Sequence, residues 1–204
     1  PLGLLAVERC SDLIQRAIKF EQQNFLYIKA LGSPWVQFNG HTLNLSHRQI
    51  EILCILALHP YGIGLDELHY ALYGERNVSI KTLKAELSQL RSLLPHCIEA
   101  RIYKLTCEVQ CDFVRAEQSL NANLIASTFS LYKGSFLSKS ESPLLSTWRH
   151  CFDARLSQLI YQIKDIDQLL RIIGQTHDRI DAVQRLLELL PQDSTHRNYF
   201  TNLI

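Results

Sequence analysis

Methionine is absent from all 204 residues, position 1 included, so the sequence is expected to be a fragment of a longer chain or an edited one. No apolar run nears the roughly 20 residues that a membrane-spanning helix needs, and no basic, apolar, small-residue series marks a secretion signal. A cytoplasmic location and no membrane partner are expected. An excess of charge is also missing, because 21 Lys and Arg face 20 Asp and Glu and leave a formal +1. Without a protein-wide basic field, affinity for nucleic acid has to come from a local patch. There is no Gly-x-Ser-x-Gly, no phosphate-cradling glycine loop, no His-Glu-x-x-His and no Cys-x-x-Cys. His150 and Cys151 are adjacent, but neighbours on a helix point about 100° apart and do not readily share a proton. No enzyme, no catalytic residue and no cofactor are expected. The six cysteines, at 10, 54, 97, 107, 111 and 151, are scattered and mostly embedded in apolar patterns, as reduced core thiols are. Cys97, Cys107 and Cys111, beside His96, lack the paired spacing of a zinc site, so no metal is expected.

Against these absences, 47% hydrophobic and 20% charged residues are those of an ordinary globular protein with one large or two small cores. The most informative stretch is Ser79–Leu94, SIKTLKAELSQLRSLL. Ile80, Leu83, Leu87, Leu90 and Leu94 recur at the three-and-four spacing that lines one side of a helix. The opposite side carries Lys81, Thr82, Lys84, Ala85, Ser88, Gln89 and Ser92. Small residues let a helix seat in a groove, lysine near its start meets phosphate, and Gln and Ser exchange hydrogen bonds with base edges. The same pattern also suits a half-buried surface helix.

In chain order, Leu2 to about Asn24 reads as one helix with Val7, Cys10, Ile14, Ala17 and Ile18 on a stripe. From Phe25 the period becomes two. Phe25–Ile28, Trp35–Phe38 and Thr42–Leu45 form short β-runs punctuated by Gly32-Ser33-Pro34 and Asn39-Gly40, which predicts a small antiparallel sheet. Ser46 and Gln49 make a capping box for a helix that buries Ile50, Leu53, Cys54, Ala57 and Leu58 and ends at His59-Pro60-Tyr61-Gly62. A shorter helix, Asp66–Tyr73, stops at Gly74, and Pro95 closes the next one. Two β-runs, Ile98–Ala100 and Tyr103–Val109, then flank Arg101. Beyond Phe113 the pattern is helical: Phe113–Leu120, Asn123–Tyr132, Leu144–Ile163, Ile166–Ile173 and Ile180–Leu190, spaced as helical hairpins. Trp148 and Phe152, four apart, are expected to pack across a helix interface.

A sheet, three helices and a hairpin, in that order, describe a winged helix-turn-helix. VQFNGHTLNLSHRQIEILCILALHP, LDELHYALYG, SIKTLKAELSQLRSLL and Tyr103-Lys104-Leu105 resemble the OmpR/PhoB-type DNA-binding domain over some seventy residues, Trp35 to Leu105. Tyr73 stands where that family usually has Trp, and the wing lacks its Gly-Tyr pair. Lys81, Lys84 and Arg91 against Glu86 leave the recognition stretch at only +2, which implies weak binding per monomer and dimers. In the second half, Asp112-Phe113, Leu131-Tyr132-Lys133-Gly134-Ser135-Phe136-Leu137, Trp148 and Arg155-Leu156 resemble the bacterial transcriptional activation domain. That domain follows an OmpR-like winged helix in activators of the SARP/AfsR type. Ile180 to Asp193 is similar to a tetratricopeptide unit, and PLGLLAVERCSDLIQRAI is similar, over that one helix, to the last helix of GAF sensor domains.

The expected fold class is mainly α with a small antiparallel β component. Residues 1–24 form a linker or signalling helix, 25–110 a winged helix-turn-helix, and 111–204 an all-α, TPR-like domain. The resemblance implies a double-stranded DNA partner and an activator of transcription. Lys81, Thr82, Lys84, Ala85, Ser88 and Gln89 would meet the major groove, Arg48 and Arg91 phosphate, and Arg101 the minor groove through the wing. The helical half would hold a homodimer together, meet RNA polymerase, or relay a signal. The rival reading is a winged helix kept as a protein-interaction module, which the near-neutral total charge and Glu86 favour.

Overall fold

The computed structural model describes residues 24–176, 178–192, 197, 200 and 201. The expected N-terminal helix therefore lies outside the described residues, Asn24 excepted. The first half opens with β1 (Phe25–Lys29), β2 (Trp35–Phe38) and β3 (His41–Leu43). β2 and β3 meet at Asn39-Gly40, where both residues take positive φ, 49° and 81°, the backbone that a two-residue hairpin requires. Three helices follow: α1 (His47–Leu58), α2 (Leu65–Tyr73) and α3 (Ile80–Leu93). β4 (Glu108–Cys111) returns to the sheet, and α4 (Asp112–Asn121) starts on the very next residue. The expected 110/111 boundary thus falls inside β4, one residue before α4, with no linker between strand and helix.

The sheet order is β3-β2-β1-β4. β1, β2 and β3 pair antiparallel as expected, but β4 runs parallel to β1, so the sheet is mixed. A parallel pair needs a long crossover, and the three helices and the hairpin after them supply it. The expected β-run Tyr103–Val109 divides for the same reason. Its first part stays in the hairpin through the bridge Ile98 to Leu105, with Tyr103 also bridging Ile63 ahead of α2, and its last part joins the main sheet as β4.

The second half is helical: α4, α5 (Ile125–Leu131), α6 (Pro143–Gln162), α7 (Ile166–Gln175) and α8 (Ile180–Leu189). Among the described residues no helix is long and apolar enough to cross a membrane. α7 packs on α8 and α8 on α6, where buried Arg179 ties the two through Asp153, Ser157 and Asp181. The protein is thus a winged helix-turn-helix joined to an all-α unit.

One continuous cluster of buried apolar side chains runs through both halves. The Asp112 carboxylate accepts the N–H groups of Ala30 and Leu31 at 2.8 and 3.0 Å, fastening the end of β1 to the start of α4. Burial raises the Asp112 pKa, while those N–H bonds oppose the rise. Leu31 bridges Phe136, and Leu137 N–H donates to Ala30 O, so residues after α5 extend the chain of bonds along β1. Trp148 does pack as its spacing predicts: its ring stacks on Phe152 at 4.9 Å and meets Phe113 and Phe136 at 5.5 and 4.5 Å. Gly134 has φ +133°, but Tyr132 is the helix cap and Gly134 lies two residues beyond it, where it abuts Gly32. The core-thiol expectation holds for Cys54, Cys97 and Cys111, whereas Cys107 is half-buried and Cys151 is exposed. Among the described residues no group of His, Cys, Asp or Glu is arranged to hold a metal ion.

Candidate nucleic-acid interface

α3 begins at Ser79, whose side chain accepts the N–H of Lys81, a cap worth about 1 kcal/mol. Leu83, Leu87 and Leu90 are buried on one side of the helix. Burying such side chains stabilises by roughly 1.5–3 kcal/mol each, which fixes the rotation of the helix about its axis. Lys81, Thr82, Lys84, Ala85, Ser88, Gln89, Arg91 and Ser92 are all exposed as a result. Neither Lys81, Lys84 nor Arg91 has an ion-pair partner among the described residues.

Glu86, the acidic residue of this helix, behaves differently from the lysines. It is half-buried, and its Oε2 is enclosed. Its charge lies near Tyr73, whose hydroxyl is pushed up chiefly by burial and in smaller part by Glu86. The open face of α3 is therefore more positive than the whole-helix count suggests.

The two remaining cations differ in their freedom. Arg48 sits on α1 with Nη1 2.6 Å from the buried carboxylate of Glu51 and its guanidinium 4.7 Å over the Tyr73 ring. Arg48, expected to reach phosphate, thus shares its charge with Glu51, which Ser140 and His47 also meet. Arg101 stands exposed at the hairpin tip with φ +82°. The hairpin is held by Glu99 N–H to Lys104 O at 3.1 Å, Thr106 N–H to Cys97 O at 2.9 Å, and the Lys104–Glu99 ion pair at 2.9 Å. An open cleft lined by Ser88, Arg91, Ser92, His96, Glu99 and Thr106 separates α3 from this hairpin.

Sequence reasoning missed one contact. Gln49, assigned only to the capping box, also donates from Nε2 to Oε1 of Gln89 at 2.9 Å. No periodicity rule signals a pair separated by 40 positions. Nothing in the sequence placed the α1 terminus beside the middle of α3.

α3 thus has one leucine side buried and a small, polar, basic side open, with a hairpin beside it. No family model matches the chain. A Rhodococcus erythropolis protein, described as an uncharacterized 47.3 kDa protein in the thcA 5′ region, is 29% identical over 153 residues, 74% of this chain and 35% of that protein. The fold is similar to that of Mycobacterium tuberculosis EmbR, solved in complex with a low-affinity phosphopeptide, with a TM-score of 0.52 and 16% identity over 89% of this chain and 56% of EmbR. The chain thus spans 35% of the first relative and 56% of the second.

Proposed function

We propose that this protein is a sequence-specific, double-stranded-DNA-binding transcriptional regulator of the SARP/AfsR type, acting as an activator. The observation that carries the reading is the open face of α3, where Lys81, Thr82, Lys84, Ala85, Ser88 and Gln89 are all exposed on a helix locked by buried leucines. In this reading α3 enters the major groove, Arg91 meets phosphate across the α3–hairpin cleft, and Arg101 reaches the minor groove. Residues 25–110 serve as the DNA-binding part and 111–204 as the part that pairs two copies or meets RNA polymerase. With three cations on α3, binding per copy is weak, which favours a homodimer on paired half-sites.

The test is fluorescence anisotropy on a pool of random duplexes at several salt concentrations, with sequencing of the bound fraction. Specific binding gives affinity that falls steeply with salt, as displaced counterions scale with phosphate contacts, and an enriched motif. A folded protein that captures no duplex at low salt sinks the reading and leaves the protein-interaction module.

A further inference from the structure

The N-terminus of α1 and the open face of α3 are joined by a single hydrogen bond, and its direction can be worked out. The backbone N–H of Ser46 can only donate, so the Gln49 atom that receives it at 3.0 Å is the carbonyl Oε1. Gln49 is then left with its amino Nε2, which donates to Gln89 at 2.9 Å. The Gln89 atom that accepts is therefore Oε1. Its own amino group, Nε2, has no partner among the described residues and belongs to an exposed side chain. Gln49 is only 6% exposed, so water competes poorly for this chain of bonds.

From this geometry we propose that Gln89 is a specificity-determining residue that reads one base pair as a hydrogen-bond donor, its amide orientation set by Gln49. The inference rests on the DNA-binding reading above. A free glutamine presents either end of its amide, since the two ends differ only by rotation of the last torsion. With Oε1 drawn toward α1, Gln89 offers N–H to the groove. In the major groove guanine O6 and N7, adenine N7 and thymine O4 accept, whereas cytosine offers only its amino donor. Gln89 should thus disfavour C at one position of each half-site, by roughly fivefold, the worth of one hydrogen bond. Gln49 itself touches no DNA and acts as a positioning residue.

The experiment is selection from a random duplex pool, sequenced, with the wild-type chain and three variants. Gln89→Ala should flatten one column of the motif. Gln49→Glu should move that same column toward C. A capping box accepts Glu as well as Gln, so the Ser46 contact survives, but a carboxylate cannot donate. The Gln89 amide then rotates to give Nε2 to residue 49 and turns Oε1 outward. Gln89→Glu, at an exposed position, offers only acceptors and should shift the column in the same direction. A wild-type motif that Gln89→Ala leaves intact, or a Gln49→Glu column identical to wild type, overturns the inference while DNA binding stands. If Gln49→Glu melts early, Gln89→Glu decides, and a column that still disfavours C overturns it. If the wild-type chain captures no duplex, the DNA-binding reading fails and this inference falls with it.

Discussion

Ser140 donates its hydroxyl to the carboxylate of Glu51, 89 positions earlier in the chain. Glu51 is 1% exposed and belongs to α1, whereas Ser140 precedes α6. Ser142 Oγ donates to Ala71 O at 2.7 Å, and Arg76 pairs with Glu141 at 2.9 Å, so the same short segment fastens α1, α2 and the turn before α3. The two halves should unfold together. Far-UV circular dichroism and tryptophan fluorescence, with Trp35 in one half and Trp148 in the other, should trace one denaturant transition. Glu51→Ala should shift both traces equally, by about 1–3 kcal/mol for lost hydrogen bonds to a buried charge. Separate transitions would refute the coupling.

Arg48 and the two lysines of α3 should respond oppositely to mutation. Arg48→Ala removes one of the partners of Glu51 and should lower the melting temperature while leaving the salt dependence of DNA binding unchanged. Lys81→Glu combined with Lys84→Glu should abolish duplex binding without lowering the melting temperature, because both side chains are exposed. Duplex binding that persists in the double variant would remove α3 from the interface.

Two glycines with nearly equal φ should tolerate alanine very differently. Gly32 has φ +84°, and a Cβ there would lie 2.4 Å from the carbonyl oxygen of Lys133. Gly40 has φ +81° and nothing within 4 Å. Gly40→Ala therefore carries only backbone strain, about 1 kcal/mol, whereas Gly32→Ala must also push two backbone segments apart and should destabilise by about 2–4 kcal/mol. Urea midpoints of the two variants measure the difference, and equal midpoints would show that the β1–α5 junction yields freely.

Burial pushes the Cys107 and Cys111 thiols up to about 12 from an ordinary 9. A thiol that ionises less readily in the folded chain leaves stability intact below pH 9. As pH rises from there toward 12, the unfolded chain loses protons first, so stability falls. Denaturant melts between pH 8 and 11 should show that decline, and Cys107→Ser with Cys111→Ser should reduce it. At pH 8, peptide mapping after alkylation should find Cys151 labelled well before Cys54 and Cys111, which are buried. Early labelling of Cys111 would contradict its enclosure.

The sequence by itself determined the helices closely, because each carries its own signals. The Ser46–Gln49 box starts α1, Ser79 starts α3, and the leucine spacing from Leu83 to Leu90 fixes which side of α3 is buried. Those local rules also exposed the candidate groove-facing residues, since what lies opposite a buried stripe faces outward. Only the tertiary structure decided what depends on distant partners. It set β4 parallel to β1, turned Arg48 onto Glu51, half-buried Glu86, left Cys151 in solvent and joined Gln49 to Gln89. Helical periodicity is a property of neighbours three and four apart, whereas the direction of a strand or a charged side chain is settled by whatever the rest of the chain brings beside it.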